Sequence, residues 1–450
     1  MIRYTLAGVL ALATFAAGAA SGQVRIDYEH YTLSNGLDVY LVPDRSTPIV
    51  TVDVWYDVGS RNERPGRSGF AHLFEHMMFQ GSANVDKGEH MQLLERVGGT
   101  FNGTTSEDRT NYFETVPSNR LNLALWLEAD RMRSLAITAE NFENQRETVK
   151  EERRLRVDNQ PYANAFTEGL TLLYDSTSCF PYAHTVIGSM DDLNAAEVQD
   201  VQAFFDLYYA PNNATLVVVG DFDTPDAKRL IETYFGDIPR GDQPPGIECD
   251  VRFNAGQGRR AWEDRLANLP AVITTYLVPE HKHADSPALS LLATILWQGE
   301  SSRLNQSLVR ERQLALAAGG QEFSRRGPGQ YVTFAIANQG IESDSIAAAL
   351  HAEVARVVAE GVTEAELEKA RNDFRASNIM GAQTTMNLAE RVQHYVHFHD
   401  SVDELHTDLA RYLAVTRADI QRVARTYLVP ANSFTIIVVP ASRGQGAVQP

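Results

Sequence analysis

The sequence predicts an α+β protein built from two similarly folded halves, and three observations carry that reading. First, the opening region reads as β structure: Leu33-Ser34-Asn35-Gly36-Leu37 sets an Asn-Gly pair between two strand-like runs. That pair is a strong hairpin signal, because the favoured two-residue turns need positive φ. Second, Val50-Thr51-Val52-Asp53-Val54-Trp55-Tyr56-Asp57-Val58 alternates apolar and mostly polar positions. This predicts a strand with one buried face, and helical segments follow it, which favours α+β over a doubly wound parallel sheet. Third, a weak repeat links the halves at a constant offset of 219 residues: Val201, Phe204, Tyr208, Pro211, Asn213 and Val217-Val218-Val219 return as Ile420, Val423, Tyr427, Pro430, Asn432 and Ile436-Ile437-Val438. In both copies a helix runs into a Pro-containing turn and then a β-branched strand, one structural unit used twice. Each half is therefore expected to be a largely antiparallel sheet with packed helices.

The chain has 450 residues, 44% hydrophobic and 22% charged, enough for a substantial globular core. A formal net charge of -18 argues against nucleic-acid binding, which needs clustered Lys and Arg to neutralise phosphate. At the N-terminus, Arg3 precedes an apolar run from Leu6 to Ala17, followed by Gly18, Ala19, Ala20, Ser21 and Gly22. This is the pattern of a secretory signal peptide over residues 1–22, with cleavage after Ala19 or Gly22 and export to the bacterial periplasm or beyond. The run is shorter than the ~20 apolar residues of a spanning helix, and no other segment approaches that length, so no membrane span is expected in the mature chain. Cys179 and Cys249 suffice for one bridge in an oxidising compartment, but the sequence leaves their pairing open. Neither lies in a CxxC pair, so both are read as packing residues before metal ligands. Pro239-Arg240-Gly241-Asp242-Gln243-Pro244-Pro245-Gly246 lacks apolar periodicity. It places a linker at 237–246 between one domain at 24–236 and a homologous one at 247–440, with a flexible tail at 441–450.

The chemistry concentrates in one helix. Ser68 is the expected N-cap of a buried helix from Phe70 to Phe79, which ends at Gly81 and is interrupted by three polar groups, His72, Glu75 and His76. Residues four apart stack on one helix face, so His72 and His76 can present two imidazoles to one ion while Glu75 lies on the adjacent edge. The pattern is His-x-x-Glu-His, an inverted zinc motif. A buried Glu between two His is costly without a compensating charge, which a divalent cation supplies. Zinc held by two His needs a third protein ligand and an open position. In the helix-like stretch Ala139 to Val157, the residues Phe142, Gln145, Val149, Glu152 and Arg156 share the face that carries the apolar side chains. Glu152 therefore points inward as the third ligand, while Glu147 and Glu151 lie around the cylinder on a solvated side.

On these residues the chain resembles the pitrilysin family of inverted-motif zinc peptidases, most of all the mitochondrial processing peptidase branch of short, two-domain subunits. The resemblance covers nearly the whole mature chain. It implies one zinc ion per chain on His72, His76 and Glu152, the last on a later helix at the family's usual separation, with Glu75 as general base. It extends to Gly99-Thr100-Phe101-Asn102-Gly103-Thr104-Thr105-Ser106 and Thr110-Asn111-Tyr112-Phe113, matching a strand region where family members bind extended peptide. Asn102 and the Gly103 backbone become candidate substrate contacts on that basis; the residues alone read as a turn and a strand. Gln145 departs from the pattern, since many members carry a second Glu there. It can orient a ligand by hydrogen bonding but is not a carboxylate.

The second half is expected to keep the fold and lose the metal. Ser290 and Thr294 fall opposite His72 and His76, and Ser377 falls opposite Glu152. His281 and His283, in a loop beside Lys282 and Asp285, are read as solvated rather than metal-binding. In larger relatives the inactive half supplies an Arg and, seven residues on, a Tyr that bind substrate near the metal; Val309 and Leu316 occupy those positions here. The resemblance thus implies a heterodimer with a homologous subunit carrying the Arg/Tyr pair, with a homodimer second, although Arg310 and Arg312 lie close enough to substitute after a register shift. The expected function is a zinc-dependent endopeptidase acting on peptides or unfolded protein segments. The alternative, a noncatalytic peptide-binding or assembly subunit of the same fold, is disfavoured because all four motif residues are present.

Overall fold

The computed structural model describes residues 25–253 and 255–441. The expected signal peptide and residues 442–450 of the expected tail lie outside the described residues. A first sheet contains β1 (Glu29–Thr32), β2 (Asp38–Pro43), β3 (Ile49–Tyr56), β4 (Thr100–Thr105), β5 (Thr110–Pro117) and β6 (Ala214–Gly220), in the order β1-β2-β6-β3-β5-β4. A second contains β7 (Gly258–Asp264), β8 (Ala271–Val278), β9 (Ala315–Phe323), β10 (Gly329–Ala337) and β11 (Ser433–Pro440), in the order β7-β11-β8-β10-β9. Each sheet is antiparallel apart from one parallel pair, β2 with β6 and β7 with β11. The class is α+β, with two domains of one design. The Asn-Gly turn closes the β1–β2 hairpin, and Gly36 takes a φ of 95° that a side chain would disfavour.

The repeat is visible as matched elements. Helix Val198–Tyr208, the turn Pro211–Asn213 and β6 correspond to helix Arg417–Tyr427, the turn Pro430–Asn432 and β11. Asn213 and Asn432 even make the same bond, each donating its amide to the carbonyl of the preceding helix's tyrosine at 2.9 and 2.8 Å.

One face of each sheet carries its own helices. Leu41, Val52, Val54 and Val218 pack with Phe74, Met77 and Leu125 in the first core, and Tyr276 and Tyr331 pack with Leu292, Leu296 and Val357 in the second. The expectation of a single buried face on β3 is corrected: every residue from Val50 to Tyr56 is buried. The second face is covered by helix Thr385–His399, which comes from the other half of the chain. Its Leu388, Ala389, Val392 and Tyr395 pack on Tyr40, Val42, Val217 and Val219. Its polar residues meet the polar positions of β3, with Thr385 Oγ1 2.8 Å from Thr51 Oγ1 and Gln393 Nε2 donating to the Asp53 carbonyl at 3.0 Å. The alternation survives because those positions face a polar helix seam, not water.

The exchange is reciprocal. Helix Ala163–Thr171, from the first half, covers the second sheet through Ala165 and Leu170 against Ile273, Val332, Ile436 and Val438. Gly169 makes the close approach possible, since a Cβ there would lie 2.3 Å from Ile436 Cδ1. Residues 239–252 form no helix or strand. The cysteine pairing left open by the sequence is resolved: Cys249 is disulfide-bonded to Cys179. Among the described residues no helix is long and apolar enough to cross a membrane.

Candidate metal centre

The motif helix spans Phe70–Met77, two residues shorter than expected, and its N-cap is Gly69 with φ 89°, not Ser68. Ser68 instead donates its hydroxyl to Asp192 at 2.5 Å. A distant carboxylate does the capping: Glu63 accepts from the Gly69 and Ala71 amides at 2.9 and 2.8 Å and sits 3.0 Å from His184 Nε2. A negative group at the positive end of the helix dipole satisfies donors that a local Ser would otherwise take. Phe70, Leu73, Phe74 and Met77 turn into the core, where the Phe74 ring lies 4.1 Å from that of Tyr209. The opposite side presents His72, Glu75 and His76 to a cavity of about 730 Å³.

Against this face packs helix Ala139–Arg153, N-capped by Thr138 and continued by one π turn, Arg154–Asp158. The structure brings the three predicted ligands together. Glu152 Oε2 lies 3.3 Å from His76 Nε2 and 3.7 Å from His72 Nε2, and the three ligand atoms fall within 4.8 Å of one another. Donors about 2.0–2.2 Å from a tetrahedral zinc would stand roughly 3.3–3.5 Å apart, so the spacing fits. The chemistry of the donors fits as well. Burial, with His76 alongside, lowers the His72 pKa to about 4 and keeps that ring neutral. The hydrogen bond from His76 holds Glu152 below the usual carboxylate range, and Arg156 adds an ion pair at 2.8 Å. His72 Nδ1 is buried without a hydrogen-bond partner, and its Nε2 is the nitrogen nearer Glu152.

Glu75 stands beside this triad. Burial raises its pKa, and the Thr105 hydroxyl, donating at 2.6 Å, partly opposes the shift. Thr105 and Gly103 lie two apart on β4, so they share a face of the strand. A Cβ at Gly103 would come within 3.2 Å of Glu75 Cγ and 3.1 Å of Tyr112 Cδ1, so glycine lets the strand pass close to the helix. Asn102, Gly103 and Gln145 line the same cavity. β4 is the last strand of its sheet, leaving its outer edge without a strand partner among the described residues. Gln145 donates its amide to Asn144 Oδ1 at 2.8 Å, and makes no hydrogen bond to His72, His76 or Glu152. Thr105, Glu63 and the Arg156 ion pair were not assigned from sequence; for Thr105 the two-residue spacing from Gly103 was the available signal.

In the second half, helices Ser286–Trp297 and Glu364–Met380 pack together as the motif helix and the Glu152 helix do. Ser290 donates to Glu322 at 2.9 Å and Thr294 to Gln298 at 2.9 Å, leaving no metal ligand at those positions. Val309 lies in a π-helical segment, Asn305–Glu311, and Leu316 on β9 is 61% exposed. The solvated reading holds for His283 but is corrected for His281. That ring is half-buried, with Nε2 3.0 Å from His399 Nε2 and 3.1 Å from His394 Nε2, partners more than 110 residues away that a local reading does not see.

Comparison with known proteins agrees with this architecture. The profile of the insulinase family (peptidase family M16) matches residues 38–171, and that of the peptidase M16 inactive domain matches residues 195–374. The chain is 31% identical to the zinc protease PqqE of Helicobacter pylori over 417 residues, covering 92% of this chain and 93% of that protein. It is 23% identical over 412 residues to the probable mitochondrial-processing peptidase subunit beta of Arabidopsis thaliana, across 88% of this chain and 75% of that one. A crystal structure of a Helicobacter pylori protease superposes with a TM-score of 0.88 at 31% identity, covering 92% of this chain and all of that one (100%). The periplasmic protease PqqL of Escherichia coli shares the fold, at TM-score 0.75 and 18% identity, with 93% of this chain matching 48% of that chain. With the two profiles falling on successive halves and a relative alike across nearly its full length, the chain belongs to the peptidase M16 (insulinase) family.

Proposed function

We propose that this protein is a zinc-dependent endopeptidase that cleaves peptides or unfolded protein segments. The observation that carries the reading is the convergence of His72, His76 and Glu152 beside a buried Glu75 in an open cavity. The relatives named zinc proteases support it. One ion at this centre would supply Lewis-acid chemistry, acidifying water and polarising a carbonyl. Glu75, held by Thr105 and with its pKa raised by burial, serves as general base and then hands its proton to the leaving amine. An extended substrate adds along the free edge of β4, where Asn102 and the Gly103 backbone contact it. Gln145 contributes a neutral amide to the cavity wall. Replacing Glu75 by Gln should lower peptide cleavage about 10²–10⁴-fold with zinc content unchanged. His72→Ala, His76→Ala and Glu152→Ala should each remove about one equivalent of metal. Cleavage at the wild-type rate by the Glu75 variant would overturn the role assignment and favour a noncatalytic peptide-binding subunit.

We further infer that the working enzyme pairs with a homologous subunit, a homodimer being the second reading. Val309 and Leu316 offer neither a cation nor a phenol to a developing oxyanion. The apolar run followed by small residues at 1–22, together with the Cys179–Cys249 bond, favours processing and export to the periplasm or outside the cell. Intact mass and sedimentation of the protein isolated from its host test both points. A mass that includes Met1 to Gly22 refutes processing, and a fully active monomer, or a homodimer unimproved by any related subunit, defeats pairing with a homologous subunit.

A further inference from the structure

Outside the motif site, three imidazoles meet where the loop after β8 reaches the helix that covers the first sheet. His281 lies in the loop after β8, while His394 and His399 lie on helix Thr385–His399, which is docked on the first sheet. His281 Nε2 is 3.0 Å from His399 Nε2 and 3.1 Å from His394 Nε2, and all three ring nitrogens fall within 4.8 Å of one another. His399 is 4% exposed, and the other two are half-buried.

With all three rings neutral, hydrogen bonding does not satisfy the cluster. His399 Nδ1 faces Glu404 Oε2 at 2.8 Å, and a carboxylate only accepts, so Nδ1 carries a proton and, when the ring is neutral, Nε2 is bare. If His281 Nε2 were bare as well, two lone pairs would oppose each other at 3.0 Å. If it carries a proton, that proton serves His399 and leaves the 3.1 Å approach of His394 without a proper bond. A cation accepting all three lone pairs removes the conflict.

The surroundings are those of a ligand set. Glu404 orients His399 through its far nitrogen, as carboxylates do behind metal-bound imidazoles, and the Ser324 hydroxyl holds His281 Nδ1 at 2.6 Å. The His281 amide donates to the Arg325 carbonyl at 2.8 Å, and Lys282 pairs with Asp400 at 2.7 Å, so loop and helix are already joined around the rings. Nitrogens about 2.0–2.1 Å from a tetrahedral ion stand roughly 3.3 Å apart, a small relaxation from the observed contacts. Three imidazoles select ions of the zinc and copper range over magnesium or calcium.

We propose that His281, His394 and His399 bind a second divalent transition-metal ion of the zinc class, and that this ion ties the loop after β8 to the helix covering the first sheet. The test uses the full-length His72→Ala/His76→Ala protein, stripped with chelator and titrated with Zn²⁺ and with Co²⁺ as a spectroscopic substitute. About one equivalent should still bind, with the visible bands of a nitrogen-ligated Co²⁺ ion, and Zn²⁺ should raise the unfolding temperature. Adding His281→Ala, on the half-buried loop, should abolish the bands and the thermal shift. Adding Glu404→Gln should weaken binding about 10–100-fold. Absence of metal from the double variant, or binding that His281→Ala leaves intact, overturns the proposal. Circular dichroism matching that of the double variant shows that a loss in the triple variant is not unfolding.

Discussion

Ser290 stands where the first half has His72, and its partner Glu322 is a carboxyl whose ionisation burial opposes. Burial pushes the Glu322 pKa up to about 7, with the Ser290 hydrogen bond pulling the other way. An unfolded glutamate ionises near pH 4.3, so between about pH 4.3 and 7 the native state binds the extra proton and stability falls as pH rises, then levels off. Glu322→Gln should therefore gain about 3–4 kcal/mol at pH 8 and nothing at pH 4, read from urea midpoints at the two pH values. Equal shifts at both would show that the carboxyl is not held neutral. His72, Glu75 and His76 follow from helical spacing, and Glu152 from the apolar face it shares with Phe142 and Val149. Nothing comparable announces the meeting of His281 with His394 and His399, because no period connects residues more than 110 positions apart.

Hairpin, repeat and helices were readable as elements because each has its own local pattern. What covers an element is not local. The alternation in β3 holds, but its second face is filled by a helix from the other half, through Thr385 and Gln393. Likewise the cap of the motif helix comes from Glu63, and Ser68, though the right residue type, is engaged by Asp192. The reciprocal contact gives a prediction for the helix Ala163–Thr171. Ile436 is fully buried beneath Gly169, and its Cδ1 would have to move to admit a side chain there. Gly169→Val should lower stability by about 1–3 kcal/mol by overpacking, measured by urea unfolding. An unchanged midpoint would mean that the helix does not rest on the second sheet.

Across the whole molecule, each half completes the other's core. A fragment ending before residue 239 lacks the helix Thr385–His399 and would bare Tyr40, Val42, Val217 and Val219 on an open sheet. A fragment beginning there would bare Ile273, Val332, Ile436 and Val438 in the same way. Proteolytic nicking between residues 239 and 248, where no helix or strand is broken, should leave both pieces in one particle. The particle should persist after reduction of the Cys179–Cys249 bond, and gel filtration in reducing buffer decides the matter, two separate peaks being the contrary result. Two traded helices thus do the work usually assigned to a peptide linker. The halves are built as an intramolecular dimer by domain exchange, so the covalent connection should be dispensable while neither partner is.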